Sequence, residues 1–559
     1  MLEDNPTVAK IKEEHPEAIR SVDDAYGNLT IVLNREYIVP VCNTLKNNPS
    51  LDYKMLLDIC GVDYLGKREE RFEVVYHLYS LSRKKRVRLK VPLYENDPVV
   101  DSVTSVWKGA NWFEREAYDM FGIRFNGHPN LSRILCHDWF VGHPLRKDFD
   151  AGQRTKNTQI KEFLKEEFKD AGADKYVVNI GPSHPAMHGT FRIQALLNGE
   201  IIEDAEAEIG YLHRCFEKMC ETHTYNTVIP YTDRLNYCSA FMNNVGYAMA
   251  VERLMGIEIT PRATAIRIIL SEFSRIMDHF VCLGANLVDL GALTNFWYFF
   301  KPREDVYELL ESCCGSRLTT NYVRIGGLAK DVPDDFVTRC RKVIESVREF
   351  LNYVEKLNNK NMIFHKRTRG VGVISKEDAI EFGWTGPCLR ACGVDYDIRK
   401  DHPYYGYENF DFEVPIGTNG DTYDRYIVRI EEAKQSLRII EQALEKMPKG
   451  SVHCGDKRVE LPPKKDVYTN IEALMNHFKL IMHGMEPPEG EIYSFTEAAN
   501  GELGFYIVSD GSAKPYRIKL RPPCYAIYQA FPYMLKGAMI SDLIAILGGL
   551  NIIAGELDR

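Results

Sequence analysis

Two histidines on a glycine- and proline-rich stretch are the first residues whose types and spacing suit chemistry. The stretch reads GPSHPAMHG over 181–189 and places His184 four residues before His188. On a helix that spacing would present both imidazoles to one metal ion, but Pro182 and Pro185 favour an irregular loop between two strands. Loops on a rigid scaffold often carry function. From the spacing alone, a functional site and a structural loop are equally supported.

A second group combines arginines with a phenol. The runs YLHRCFEK (211–218) and YTDRLNY (231–237) contain Arg214, Arg234 and Tyr237. Composition alone favours a core tyrosine with solvated or salt-bridged arginines.

A long apolar segment then carries polar residues on one stripe. Glu272, Arg275 and His279 are three and four residues apart, which is typical of either an exposed helix face or a buried ion network. The segment leads to Asp289 in the apolar run LVDLGAL, where a buried carboxylate would need a partner.

The fourteen cysteines show no C-x-x-C pair, so a zinc ribbon or a ferredoxin-type cluster is not predicted. In a reducing compartment we expect all of them to be buried apolar thiols. The sequence predicts no metal site.

The composition excludes several classes of function. A net charge of −9 argues against nucleic acid as the main partner, because phosphate binding needs clustered lysine and arginine. No run approaches the ~20 apolar residues that span a bilayer, and the first residues lack the apolar stretch of a secretory signal. We therefore expect a cytoplasmic chain that reaches a membrane only through a partner.

The first 150 residues have the pattern of a small α+β domain. Two β-rich runs, 73–80 and 86–93, are joined by a polar turn and predict a hairpin. Residues 112–122 predict a short helix that ends at a glycine. Residues 151–174 are charged and poor in aromatic residues, which predicts a linker.

From residue 175 a β-rich entry gives way to helices. Three strand-like runs come first, and Asn198-Gly199 between the last two predicts a type I′ turn. Apolar residues spaced three and four apart predict four long helices, at 237–256, 262–290, 333–359 and 423–447. The chain returns to strands near 504–522 and ends in an apolar element, 543–555, that we expect to be buried. The expected fold class is α+β, with a mainly helical second domain that begins and ends in strands.

These motifs, in this order, resemble a known family. GPSHPAMHG, GYLHRCFEK, YTDRLNY, the helical segment from 261, YVRIGGL, GELGFYIVSDGSAKPYRIKLRPP and the final Asp558-Arg559 resemble the D subunit of bacterial respiratory complex I. The run WFEREAYDMFGIRFNGHPNLSRILCHDWFVGHPLRKDF (112–149) resembles the C subunit, and the tandem order resembles the fused C/D form. The resemblance implies a C-like domain over 1–150 and a D-like domain over 175–559. The D-like domain would have the fold of nickel–iron hydrogenase large subunits without their metal site.

The resemblance also implies a role in quinone reduction within a proton-pumping NADH:quinone oxidoreductase. His188 and Tyr237 would donate hydrogen bonds to the quinone headgroup, Asp289 would pair with His188, and His184 would be a further residue of the pocket. The chain would bind no cofactor with ligands of its own, and quinone would be its substrate.

The source of electrons and the partners follow from the same resemblance. Arg214 and Arg234 would lie near the terminal iron–sulfur cluster of the neighbouring B subunit. The I and G subunits and the membrane-arm H subunit would be further partners, on the cytoplasmic side of the bacterial inner membrane. Where the family often has a histidine, this chain has Thr319. Because threonine cannot take up a proton on cluster reduction, we expect a lower and less pH-dependent cluster potential.

Two other interpretations remain. A hydrogenase large subunit fused to a C-like domain is one, although nickel and iron need soft thiolates that the absent C-x-x-C pairs would have supplied. A structural assembly protein with an inert cavity is the other. The sequence thus leaves three interpretations of the D-like domain: a quinone-reducing subunit, a hydrogenase subunit with a metal centre, and a structural protein with an inert cavity.

Several charged residues fall outside these site predictions. In the N-terminal domain, acidic and imidazole side chains without convergent partners are expected to cap turns and dock neighbouring subunits: Glu114, Glu116, Asp119 and His128. Near the end of the chain one strand places three cations on one face, either solvated or in an intersubunit contact: Arg517, Lys519 and Arg521.

Overall fold

The structure, a computed structural model, describes residues 5–152, 168 and 174–559. The predicted linker at 151–174 falls almost entirely outside these residues, so the linker and the domain limits 1–150 and 175–559 remain predictions. The α+β fold class is confirmed: a β-rich N-terminal part precedes a mainly helical region, which is followed by strands.

The N-terminal part forms these elements, in chain order: α1 (Pro6–Glu14), β1 (Ile19–Asp23), β2 (Thr30–Leu33), α2 (Ile38–Asn47), β3 (Met55–Asp63), β4 (Phe72–Ser80), β5 (Lys85–Leu93), β6 (Val99–Asp101), α3 (Ala110–Phe121) and β7 (Arg124–Asn126). Five strands make a sheet of order β1-β2-β5-β4-β3, antiparallel except between β2 and β5. The predicted hairpin is β4–β5. The predicted helix is α3, which ends at Gly122 in the left-handed conformation that favours glycine.

The second part opens with a three-stranded sheet and continues into helices: β8 (Tyr176–Ile180), β9 (Arg192–Asn198), β10 (Ile201–Glu208), α4 (Phe216–Thr222), α5 (Tyr225–Thr232), α6 (Ala240–Met255), α7 (Pro261–Asp289), α8 (Leu293–Cys314), β11 (Val323–Arg324), β12 (Gly327–Leu328), α9 (Phe336–Asn358), α10 (Met362–Thr368), α11 (Lys376–Glu381), α12 (Gly386–Ala391), α13 (Ile398–Asp401) and α14 (Thr422–Glu445). The four predicted long helices are α6, α7, α9 and α14. The 22-residue helix α8 was not predicted, and it contains Pro302.

The chain ends in a mixed segment: α15 (Lys464–Thr469), α16 (Ile471–Met482), β13 (Gly490–Ala498), β14 (Gly501–Ser509), β15 (Arg517–Arg521), α17 (Pro523–Gln529), α18 (Phe531–Leu535), α19 (Ile540–Leu550) and α20 (Ala554–Asp558). Strands β13, β14 and β15 form an antiparallel meander. The apolar element predicted near the end corresponds to α19 and the residues after it, and its core-facing side chains are buried as expected.

The turn between β9 and β10 lies where it was predicted but is of another type. Asn198 pairs with Ile201 in the ladder, so Gly199 and Glu200 are the two loop residues. Only Gly199 has a positive φ, 62°. A type I′ turn needs positive φ at both central positions, whereas type II′ needs it at the first alone. The type I′ prediction is wrong because the register places the glycine first.

Helix α7 is the buried centre of the helical region. It packs against α8, α14 and α19, and almost every side chain between Ile266 and Leu287 is buried. Its predicted polar stripe is a buried ion network. Glu272 accepts from Arg275 and Arg399, and His279 contacts Glu432 at 2.9 Å. Burial raises the pKa of Glu272, but the two guanidinium groups outweigh it and lower that pKa to about 2.

The two parts of the chain share one apolar core and a buried ionic cluster. The core runs from the N-terminal sheet into α17–α20. At its edge Lys519 Nζ lies 2.6 Å from Glu116 and 3.8 Å from both Asp58 and Glu217. Arg559 bridges Glu116 and Glu217 from the other side, at 2.7 and 3.3 Å.

The three cations of β15 are therefore not solvated. Arg517, Lys519 and Arg521 are all 1% exposed or less, and their alternating side chains face the N-terminal part. Arg517 donates to the Gly61 carbonyl and Arg521 to the Leu57 carbonyl, both on β3. This face is an internal contact between the two parts of the chain, which excludes the solvated alternative.

The N-terminal acidic residues behave largely as predicted. Glu114 accepts from the Val103 amide and the Ser102 hydroxyl, and one Asp119 oxygen accepts from three consecutive amides, 134–136. His128 lies 3.1 Å from the Asn111 carbonyl. Glu116 docks the other part of the same chain rather than another protein.

Replacing Lys519 by Met should destabilise the chain by about 3–5 kcal/mol, because it removes the buried cation that pairs with Glu116 at 2.6 Å and lies 3.8 Å from the Asp58 and Glu217 carboxylates. Equilibrium unfolding of the full chain in denaturant measures the change. Lys536→Met is the matched control. Lys536 pairs with Asp204 at 2.9 Å, but both side chains are about half exposed, so its effect should stay within about 0.5 kcal/mol. Equal effects of the two substitutions would contradict the importance of the buried cluster.

Candidate functional site

The loop from 181 to 189 joins β8 to β9 and is irregular, as predicted. Its middle is a 3-10 turn over Pro185–Met187, and the His184 ring accepts from the Ala186 amide at 3.2 Å. Met187 is fully buried and anchors the loop. His188 ends the turn with a φ of 56°, a conformation that few residues other than glycine adopt. The backbone strain is offset by the contacts that hold this imidazole.

The His188 imidazole is held by a carboxylate from the end of α7. Its Nε2 lies 2.5 Å from Asp289 Oδ2, and both side chains are more than four-fifths buried. Asp289 is the last residue of α7, where the partial negative charge of the helix end disfavours an unpaired anion. A positively charged imidazole at this position would offset both the Asp289 carboxylate charge and the partial negative charge of the helix end. The predicted pairing of these residues is thus present in the geometry.

Tyr237 lies in a 3-10 turn over Tyr237–Ser239, just before α6 begins at Ala240. The helix predicted from residue 237 therefore starts three residues later. Burial raises the pKa of Tyr237 to about 12, because the phenolate would lose its hydration. The phenol consequently stays protonated throughout the neutral range.

The Tyr237 turn is fixed by Asp278, a residue that sequence analysis did not single out. Its carboxylate accepts from Asn236 at 2.5 Å and from Ser239 at 2.8 Å, on either side of Tyr237. The other oxygen accepts from Asn551 at 2.6 Å. Asp278 and Asp289 lie on the same helix, eleven residues or about 16 Å apart along its axis. The only signal in the sequence was a carboxylate inside an apolar helix.

The C-terminal residues connect the two halves of the candidate site. A Cβ on Gly189, next to His188, would lie 2.9 Å from Ala554 Cβ. Gly555 follows Ala554 in the chain. A Cβ on Gly555 would lie 2.7 Å from the Leu235 carbonyl and 3.3 Å from the Tyr237 ring. Two consecutive residues therefore touch the histidine loop and the tyrosine turn, which brings segments 49 positions apart in sequence to one place.

The predicted arginines lie beside this junction. Arg214 Nη2 donates to the carbonyls of Arg234 and Gly555, at 2.8 and 3.1 Å. Arg234 is exposed and donates to the Pro230 carbonyl at 2.5 Å. His184 is also exposed, and its ring caps the turn that follows it. Of the predicted residues, the structure pairs His188 with Asp289, and links Tyr237, Arg214 and Arg234 through the C-terminal segment.

The C-terminal segment is itself tied down on both sides. The Asp558 carboxylate accepts from the amides of Gly210 and Leu212, at 2.9 and 2.7 Å, and its carbonyl lies 2.8 Å from His213 Nδ1. Arg559 joins the buried cluster of Glu116 and Glu217. The position of Gly555 is thus set by contacts that reach the N-terminal part.

The cysteines are less uniformly buried than predicted. Ten are buried, but Cys136, Cys215, Cys314 and Cys454 are partly exposed. The prediction that all would be buried is wrong for these four, because spacing reveals nothing about where a loop meets solvent. In the described part of the chain, no group of three or more His, Cys, Asp and Glu side chains is arranged to hold a metal ion.

Comparisons with known proteins identify the family. A family model described as the 49 kDa subunit of respiratory-chain NADH dehydrogenase matches residues 289–559, and the model of the 30 kDa subunit matches residues 31–155. The C/D subunit of the NADH-quinone oxidoreductase of Bdellovibrio bacteriovorus is 54% identical over 540 residues, 96% of each chain. The C/D subunit from Nitrosospira multiformis is 42% identical over 94% of this chain and 90% of the relative.

This chain belongs to the family of NADH-quinone oxidoreductase C/D subunits. It is therefore part of an oxidoreductase complex, complex I, and other subunits of that complex are its partners. The D 1 subunit of the NADH-quinone oxidoreductase of Sorangium cellulosum is 51% identical over 391 residues, which cover 70% of this chain and 97% of the relative. In this member of the C/D family, no described helix combines the length and the apolar character needed to cross a bilayer.

Gly555→Ala should loosen the junction, because its Cβ would press on two main-chain carbonyls that cannot rotate away. We expect a loss of about 1–3 kcal/mol in unfolding free energy. Hydrogen exchange should become faster in both 181–191 and 234–239. Gly284→Ala, in the middle of α7, is the control, since its Cβ would meet only aromatic side chains at 3.3 Å or more. Faster exchange in only one of the two segments would show that the C-terminal residues do not connect them.

Proposed function

We propose that this chain supplies the protons for quinone reduction and couples that reaction to proton translocation across the membrane. The observation that carries the proposal is the His188–Asp289 hydrogen bond, together with the partly buried phenol of Tyr237, which the C-terminal segment next to the histidine loop contacts. Reducing a quinone to a quinol consumes two electrons and two protons and places negative charge on oxygens at opposite ends of the ring. Two separate hydrogen-bond donors therefore suit this substrate.

The two donors suit different moments of the reaction. A protonated His188, held by Asp289, would donate to one quinone oxygen and deliver its proton as charge develops there. Tyr237, whose pKa burial raises to about 12, would donate to the other oxygen. It would release a proton only to a strong base such as a reduced quinone oxygen. His184 is the further pocket residue, on the exposed side of the same loop.

Electrons would reach the quinone from the terminal iron–sulfur cluster of the neighbouring B subunit. Arg214 and Arg234 support this direction of approach, because the Arg214 side chain donates to the main-chain carbonyls of Arg234 and Gly555 and the Arg234 side chain reaches solvent. Positive charge near a cluster stabilises its reduced form. Thr319 is half-buried in the segment after α8, and its expected effect on the cluster potential remains a prediction.

Proton transfer from His188 would remove the cation that neutralises the end of α7. Asp289 would then be an anion without its counter-charge, at the negative end of the helix dipole. Because α7 packs against α8, α14 and α19, a shift of its end would be transmitted to those helices. We propose this local electrostatic change as the start of coupling to the membrane arm.

The I and G subunits and the membrane-arm H subunit would be the further partners, at the cytoplasmic side of the bacterial inner membrane.

His188→Gln and Tyr237→Phe should each lower inhibitor-sensitive quinone reduction by the assembled complex about 100-fold or more, because each removes a proton donor. Electron transfer to an artificial acceptor upstream of the quinone should be unchanged. His365→Gln and Tyr353→Phe are the matched controls, on α10 and α9, and should keep full activity. Retained quinone reduction in both donor variants would favour an inert cavity.

Asp289→Asn should lower the number of protons pumped per electron more than it lowers quinone turnover, because the neutral amide cannot respond to the loss of the His188 proton. Proton uptake by sealed membrane vesicles, normalised to quinone turnover, measures this ratio. The control is Asp331→Asn, at an exposed carboxylate paired with Arg262. Full pumping at normal turnover in Asp289→Asn would rule out this coupling step.

A further inference from the structure

Asp278 is a buried acidic residue that neutral donors hold. Its carboxylate is fully buried on α7 and accepts three hydrogen bonds, from the Asn236 amide, the Ser239 hydroxyl and the Asn551 amide. Within the described part of the chain, no lysine, arginine or histidine forms an ion pair with it. Glu272, a fully buried carboxylate on the same helix, does have such a partner, a guanidinium group at 3.1 Å. Asp278 thus differs from Glu272 in having no counter-charge.

The donors around Asp278 are oriented toward a negatively charged carboxylate. The Asn236 side-chain oxygen accepts from the Cys238 amide at 3.1 Å, so the NH2 group of Asn236 faces Asp278. The Asn551 NH2 group donates at 2.6 Å to both Asp278 and the Asn500 side-chain oxygen. A protonated carboxyl group would bring its own proton to a place where both amide partners already offer protons. The arrangement therefore suits the ionised form, whose hydrogen bonds are charge-assisted.

The Asp278 charge acts on the Tyr237 phenol. Burial raises the pKa of Tyr237 to about 12, and three neighbouring groups act in the same direction: Cys238, Asp278 and Cys524. Arg214 acts in the opposite direction on that pKa. Burial also raises the pKa of both thiols, so neither is ionised in the neutral range. Among these four neighbours, Asp278 is therefore the one that carries negative charge at neutral pH.

Other titratable groups face Asp278 without neutralising it. Burial raises the pKa of Glu556 to about 7, and Asp278 acts in the same direction. The Cys282 thiol is also buried near Asp278, and its pKa is raised by burial. Burial lowers the pKa of His279, whose ring contacts Glu432 at 2.9 Å instead. The negative charge of Asp278 is thus not cancelled locally.

We propose that Asp278 is a positioning residue whose fixed negative charge keeps the proton on Tyr237 until the quinone is anionic enough to take it. This inference rests on the proposed role of Tyr237 as a proton donor. In that step, the Tyr237 O–H bond breaks and an O–H bond forms on a quinone oxygen that electrons delivered within the complex have made anionic. The phenolate left behind then takes a proton from water. Because this phenolate would lie near the Asp278 anion, it forms only when a strong base accepts the proton.

The ionisation of the phenol can be measured in the isolated full chain. A difluorinated tyrosine at position 237 has a more acidic phenol than tyrosine, which brings its ionisation into an accessible pH range, and fluorine NMR follows it. Asp278→Asn should make this phenol ionise at a pH lower by about one unit or more, because a nearby negative charge is lost.

Asp421→Asn is the matched control for the loss of a buried carboxylate. Asp421 is 3% exposed and is likewise held by neutral donors, the amides of Gly370 and Asp424. It is not among the groups that act on the pKa of Tyr237. The fluorinated phenol should therefore ionise in this variant within about 0.3 pH unit of its value in the unsubstituted chain.

Ser239→Ala separates the charge of Asp278 from its contact with the tyrosine turn. The substitution removes one hydrogen bond to Asp278 but keeps the carboxylate. The phenol should again ionise within about 0.3 pH unit of the unsubstituted chain. Equal shifts in Ser239→Ala and Asp278→Asn would mean that the turn, not the charge, is responsible, and would overturn the inference. An unchanged titration in Asp278→Asn would overturn it as well.

The assembled complex connects this titration to quinone reduction. With the fluorinated tyrosine in place, inhibitor-sensitive quinone reduction should have an alkaline limit, because a phenolate has no proton to donate. Asp278→Asn should move this limit to lower pH by the amount that NMR finds. A phenol titration that moves while the alkaline limit stays would overturn the donor role of Tyr237, and this inference with it. A phenol titration that does not move would overturn this inference alone.

Discussion

The buried helix α7 is the constraint on which the candidate site depends. Its 29 residues pass through the centre of the helical region, and two of its carboxylates hold the two site segments. Asp278 fixes the turn that carries Tyr237, and Asp289 holds the imidazole of His188. Because both acids belong to one rigid helix, the separation of the two segments is set by helix geometry rather than by the loops themselves.

Burying so many charges on one helix is costly unless each has a partner. Glu272 is surrounded by Arg275, Arg399, Tyr407 and Ser436, and Glu432 by His279 and Arg390. Removing one member of such a network leaves an uncompensated charge, which costs more than the pair contributes. The network therefore fixes the position and rotation of α7. The positions of Asp278 and Asp289, and of the site segments that they hold, are fixed with it.

The N-terminal part supports the site from a distance. Glu116 on α3 holds Arg559, and the segment before Arg559 places Ala554 and Gly555 against the histidine loop and the tyrosine turn. A continuous series of contacts thus runs from the C-like part to the residues proposed to donate protons. The N-terminal part is therefore more than a domain joined to the second part by the chain: its buried ionic contacts help to fix the position of the C-terminal segment at the candidate site.

The sequence by itself determined those features that follow from local pattern. Apolar periodicity located α6, α7, α9 and α14 within a few residues, because a helix that buries one side must repeat near 3.6. Two prolines and two glycines over 181–189 indicated the irregular loop that carries His188. Helix α8 was missed, since Pro302 conflicts with helix propensity and only its packing against α7 and α9 overrides that conflict.

Only the tertiary structure decided which polar residues face water and which face each other. The alternation of Arg517, Lys519 and Arg521 showed that they share a face, but their counter-charges and carbonyl acceptors on other elements lie hundreds of positions away in sequence. For the same reason nothing local distinguished Asp278 from other acids, or marked Gly555 as the contact beside Tyr237. Such roles depend on distances between segments that meet only when the chain is folded, and a linear pattern carries no information about those distances.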